Sequence, residues 1–121
     1  MDSKHILLVE DDPATADAMK RLLQRAGYAV TCAANGREAL DSLRGAEQPS
    51  LILLDLTMPG MDGWEFRERQ RHAPGLASIP VVVLSDESNL PYQVASLGVV
   101  DFLPKPVQLT ELLDAIERHG K

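Results

Sequence analysis

A chain of 121 residues has room for one domain, expected to span residues 1–121. Its 18 acidic and 12 basic residues give a net charge of −6 and a pI near 4.9, which argues against intrinsic nucleic-acid binding and against anionic membrane surfaces, both of which need clustered Lys and Arg. The composition, 45% apolar and 25% charged, is that of a folded protein; the single Cys32 allows no intrachain disulfide, and no signal peptide or apolar run of membrane-spanning length is present, so a soluble cytoplasmic protein without membrane insertion is expected.

In chain order, residues 6–9 form a short continuous apolar run that reads as a strand buried on both faces. Asp12 followed by Pro13 reads as a helix N-cap and first turn, and Ala16, Met19, Leu22, Leu23 and Ala26 then repeat at helical spacing up to Gly27. Residues 28–33 form a strand candidate of moderate β-propensity. Asn35 with Glu38, and Asp62 with Glu65, have the spacing of a capping box and open a second and a third helix. Residues 51–54 and 81–84 repeat the buried-strand pattern, and residues 99–103 repeat it more weakly. Between Asn89 and Leu97 a fourth helical stretch has only Val94, Ala95 and Leu97 for a face, with Pro91 in its first turn. The last helix is marked by Leu109, Leu112, Leu113 and Ile116 at i, i+3, i+4 and i+7, closed by Gly120. Cys32 reads as a small buried residue, and of Trp64 and Phe66 at least one should face solvent.

Five alternations of strand and helix predict an α/β sheet wound on both faces through right-handed crossovers. In such sheets ligands bind beyond the carboxyl ends of the strands. Reading past each strand there gives Glu10, Asp11 and Asp12, then Asp55, then Ser85, then Lys105. Converging carboxylates repel one another unless a cation joins them, and an oxygen-rich set of this kind suits a hard divalent metal. A lysine and a hydroxyl facing the same point supply donors for the oxygens of a phosphoryl group. Asp12 itself is better read as a cap than as a third ligand.

Four segments at strand ends, ILLVEDDP (6–13), LLDLTMPGMDG (53–63), VVLS (82–85) and DFLPKP (101–106), together resemble the receiver domain of bacterial two-component response regulators, and the similarity runs the length of the chain. The resemblance implies a flavodoxin-like doubly wound five-stranded parallel sheet, (βα)5, in strand order 2-1-3-4-5. It implies that Asp55 is the phosphoacceptor and that Mg2+, or Mn2+ in its place, is held by Glu10, Asp11, Asp55 and the Thr57 carbonyl. Ser85 and Lys105 would bind the phosphoryl group, Ser85 and Phe102 would form the switch, and the bond before Pro106 would be cis. Thr57, Asp86 and Glu87 fall at positions that tune the reaction; Asp86 stands where the family has a small residue, and a carboxylate there would repel an incoming phosphoryl group.

By the same resemblance the partners are a sensor histidine kinase or histidine phosphotransfer protein and a downstream protein, with no direct nucleic-acid contact. The protein would be no enzyme in the ordinary sense, and its output face would comprise the fourth helical stretch, the fifth strand and the last helix. The starting Met1 and the charged end favour a stand-alone domain. The alternative is a receiver-like interaction module that works without phosphate, suggested by Asp86 and by the shortened fourth helical stretch. A haloacid-dehalogenase-type phosphohydrolase would need a second Asp where Thr57 stands, and dinucleotide binding would need a glycine-rich turn where acids follow the first strand.

Overall fold

The computed structural model describes residues 4–45, 48–56, 63–85 and 98–120, with only the backbone of Ser85. Five parallel strands, β1 (His5–Val9), β2 (Ala29–Ala33), β3 (Leu51–Asp55), β4 (Val81–Ser85) and β5 (Asp101–Pro104), form one sheet in the order β2-β1-β3-β4-β5. The helices described are α1 (Pro13–Arg25), α2 (Gly36–Leu43), α3 (Gly63–Arg71) and α4 (Leu109–His119). The fourth helical stretch expected near residues 89–97 lies outside the described residues. No helix among those described is long and apolar enough to cross a membrane.

The unbroken apolar runs follow from burial on both sides of the sheet. Ile6, Leu8, Leu51, Leu53, Val82 and Leu84 face one way, into a core shared with Leu23 of α1 and Leu112 and Ile116 of α4. Leu7, Val9, Ile52, Leu54, Val81 and Val83 face the other way, onto Leu40 and Leu43 of α2 and Phe66 of α3. Alternate side chains of one strand thus enter opposite cores, as a pleat requires.

Local signals set the helix ends. The Asp12 side chain accepts from the Thr15 N–H at 3.1 Å, with Pro13 in the first turn, and Gly27 takes the left-handed φ of +100° that turns the chain into β2. Asn35 caps α2 by accepting from the Glu38 N–H at 2.9 Å, while the Glu38 carboxylate accepts from the Ala34 N–H at 3.0 Å, one residue earlier than a reciprocal capping box would have it.

Three expectations are corrected. Strand β5 begins at Asp101, not at Val99, because its ladder to β4 starts with Val82 opposite Asp101 and Val100 is 44% exposed. Cys32 is exposed, because β2 is an edge strand covered less fully than the centre of the sheet. Phe66 is fully buried and Trp64 is half-buried against the same core, so neither aromatic stands free in solvent.

Candidate functional site

Parallel pairing in register brings the carboxyl ends of β1, β3, β4 and β5 to one edge of the sheet. Val9 lies opposite Leu54, Asp55 opposite Leu84, and Ser85 opposite Pro104. The next residues along the chain after β1 and β5 therefore meet around the end of β3, although Glu10 and Lys105 are 95 positions apart. Glu10 is held there by its own N–H, which donates to the Ala33 carbonyl at 3.0 Å, and its carboxylate accepts from the Asp12 N–H at 3.2 Å.

The resulting cluster is small and mostly enclosed. Glu10 and Asp55 are 4% and 5% exposed, and Asp11 is half-buried. One carboxylate oxygen from each of the three lies within 4.8 Å of the others. The Lys105 ammonium stands 3.3 Å from Glu10 Oε1 and 3.3 Å from Asp55 Oδ2, so it bridges the two deepest acids. Burial pushes the Glu10 carboxyl above its ordinary value; the Asp12 N–H works against this, the charge of Asp55 adds to it, and Lys105 opposes it. For Lys105, burial favours the neutral amine, but the combined attraction of Asp55 and Glu10 outweighs it and raises the ammonium above its ordinary value.

Three oxygen donors in that small space, with no soft or nitrogen ligand among them, fit a hard divalent cation such as Mg2+ or Mn2+. Asp12, by contrast, is exposed and occupied as the cap of α1, where it bonds both the N–H and the hydroxyl of Thr15.

The remaining sequence candidates fall around this cluster. Phe102 is half-buried opposite Val83 and packs on the core shared with α2 and α3. The Lys105–Pro106 peptide bond is cis. Ser85 ends β4 at the same edge, its side chain outside the described residues, and Thr57, Asp86 and Glu87 lie outside them as well.

Two features went unread in the sequence. An apolar cavity of about 470 Å3 opens between α1 and α4 beside Lys105, lined by Met19, Leu22, Val107 and Leu109 among others; its lining comes from two helical faces that look like ordinary core stripes. The other is a buried polar chain on α3. Arg67 donates to the Gln70 side-chain oxygen at 2.8 Å and to the Gly98 carbonyl at 3.0 Å, and Gln70 donates to the carbonyls of Leu76 and Ile79. Charged and amide residues carry no burial signal of their own in a sequence.

The family model of the response regulator receiver domain matches residues 6–117. Response regulator MprA of Mycolicibacterium vanbaalenii is 42% identical over 110 residues, covering 89% of this chain but 46% of that protein, so the chain spans about half the length of this relative. A 14.6 kDa protein of Leptolyngbya boryana is 38% identical over 94% of this chain and 88% of its own length. Among solved structures, the receiver domain of sensor histidine kinase PA1611 from Pseudomonas aeruginosa, with a magnesium ion coordinated in its active-site cleft, superposes with a TM-score of 0.88 at 28% identity over 98% of both chains. Family match, strand order and strand-edge acids agree: this chain belongs to the response regulator receiver domains, the signalling modules of two-component systems.

Proposed function

We propose that the chain is a phosphorylation-operated switch in which Asp55 accepts a phosphoryl group from a phosphohistidine of a sensor histidine kinase or of a histidine phosphotransfer protein, in the cytoplasm. The observation that carries this reading is the placement of one nearly buried carboxylate, Asp55, between two further acids and a lysine 3.3 Å away. An Asp55 carboxylate oxygen attacks phosphorus and forms the new P–O bond as the P–N bond breaks. The electron pair of the broken bond returns to the imidazole nitrogen of the donor, and because the other ring nitrogen already carries a proton, the donor leaves as neutral imidazole.

Phosphoryl transfer asks a protein for positioning and charge compensation more than for covalent help. Lys105 turns from the Asp55 carboxylate to an oxygen of the acquired group, and the Ser85 hydroxyl donates to another. Glu10, Asp11, Asp55 and the Thr57 carbonyl would hold Mg2+, and the bound ion would supply positive charge to the acids and to the phosphoryl oxygens. The apolar cavity beside Lys105 supports a protein donor, because an apolar helix face seated there would bring its histidine to the strand edge. Added negative charge at Asp55 then biases Ser85 and Phe102 between two packings, read out on β5, α4 and the segment before β5.

The test is intact-mass analysis after incubation with Mg2+ and acetyl phosphate, beside Asp55→Asn and a chelator control. One added phosphoryl group on the native chain, absent in both controls, is expected. No adduct on a chain that circular dichroism shows to be folded would overturn the reading in favour of a phosphate-independent interaction module.

A further inference from the structure

Helix α3 is set down on the end of the acceptor strand with no space between for a side chain. Gly63 opens the helix, is buried, and donates its N–H to the Leu56 carbonyl at 3.0 Å. A Cβ built on Gly63 would stand 2.5 Å from the Asp55 carbonyl oxygen and 2.6 Å from the Leu56 Cα. Both are backbone atoms, in or next to a strand hydrogen-bonded to β1 on one side and β4 on the other, so neither can swing aside as a side-chain tip would. Gly63 is not among the glycines of positive φ, Gly27, Gly75 and Gly98. What the position demands is room, not a left-handed backbone.

We infer that Gly63 is a positioning residue for the reaction at Asp55: by letting α3 close onto the Asp55–Leu56 backbone, it sets where the acceptor carboxylate stands relative to Glu10, Asp11 and Lys105. The inference rests on the acceptor reading above. Restoring ordinary contact around an added methyl needs a separation of roughly 0.5–1 Å between helix and strand end. Whatever part of that separation the strand end takes up moves Asp55, and a shift of roughly 0.5–1 Å away from Lys105 stretches their 3.3 Å contact to the edge of ion-pair reach. Misplacement by about 1 Å costs on the order of 100-fold in reactions that depend on alignment.

Gly63→Ala is compared with Leu43→Ala, a core truncation at the far end of α2 from the strand edge. Three quantities are read: the thermal midpoint without metal, the rise of that midpoint with Mg2+, and the rate of Asp55 phosphorylation at saturating acetyl phosphate. Both variants should lose stability, but only Gly63→Ala should also lose most of the Mg2+ shift and slow phosphorylation at least tenfold. A folded Gly63→Ala with the Mg2+ shift and rate of Leu43→Ala overturns the inference. Should Gly63→Ala fail to fold, the readings are repeated in trimethylamine N-oxide, which favours compact states; failure there too, with Leu43→Ala folded, makes Gly63 a folding requirement and overturns its positioning role. If the native chain takes up no phosphoryl group, the acceptor reading falls, and the Mg2+ shifts alone then decide on Gly63.

Discussion

Replacing Asp11 by Asn should stabilise the metal-free chain and destabilise it, relative to the native chain, once Mg2+ is present. The carboxylate oxygens of Glu10, Asp11 and Asp55 lie within 4.8 Å of one another. At that separation two unit charges repel by about 0.9 kcal/mol in water-like surroundings and about 3.5 kcal/mol at an effective dielectric of 20. Asp11 is half-buried, so the lower figure is nearer the mark. Allowing for lost hydration of the amide, the net gain should be about 1 kcal/mol, or about 4 °C in the midpoint of a domain this size. With Mg2+ at a hundred times its dissociation constant the native chain gains about 2.7 kcal/mol. Loss of one charged ligand weakens binding by at least the roughly 10–100-fold typical of losing an outer-shell partner, which leaves the variant a gain of about 0.4–1.4 kcal/mol at the same Mg2+ concentration. The melting order therefore reverses between chelator and Mg2+, which scanning calorimetry reads directly. A variant that melts at or below the native chain in chelator refutes the repulsion argument, and equal Mg2+ shifts refute Asp11 as a ligand.

Arg67→Met should cost about 2–3 kcal/mol in urea unfolding, because it takes a donor from the Gly98 carbonyl and from the Gln70 side-chain oxygen in a buried setting; a loss under 1 kcal/mol would show that both find other partners. Asn35→Ala removes the α2 cap and should lower stability by about 1 kcal/mol, with no change in Mg2+ affinity, since it lies outside the acidic cluster. Although Cys32 is exposed, partial loss of hydration beside its neighbours, opposed by Lys20 and aided by Asp17, raises its thiol above the ordinary value of 9.0, so the thiolate fraction rises late and alkylation by iodoacetamide should reach its half-maximal rate above that pH. A half-maximal rate below pH 9.0 would contradict this.

The central strands were legible because a strand covered on both faces can be apolar throughout, and residues 6–9, 51–54 and 81–84 are. The edges were harder. Val99 and Val100 look like strand residues, yet pairing starts at the acidic Asp101; Cys32 looks like a core residue, yet an edge strand leaves it exposed. Trp64 and Phe66, two apart on α3, suggest opposite faces. Yet both meet one core, Phe66 fully buried within it and Trp64 partly buried against it. At the site, the acids could be placed by topology alone, since parallel strands send their carboxyl ends to one edge. The same rule placed Lys105 at that edge as a donor for phosphoryl oxygens, but its ion pair with Glu10 had no sequence signal, because nothing local to residue 105 announces a contact with residue 10.

The same geometry explains why the cluster and the core must be read together. Two nearly buried carboxylates with a third beside them and one bridging lysine are a poor arrangement for stability, since uncompensated charge in a desolvated site costs more than an apolar replacement would. Glu10 registers that cost in its raised carboxyl, and Lys105 registers the opposite pull in its raised ammonium. The two strands that carry the acids are deeply buried, with every residue from Ile6 to Val9 and from Leu51 to Leu54 enclosed, whereas Lys105 follows the edge strand β5. Such strands resist letting the acids separate, so a bound cation, or the phosphorylation proposed for Asp55, would be what relieves or redirects the electrostatic tension. A rigid scaffold holding an unfavourable charge arrangement is sensitive to small charge changes at one atom, and that sensitivity is what a signalling module needs.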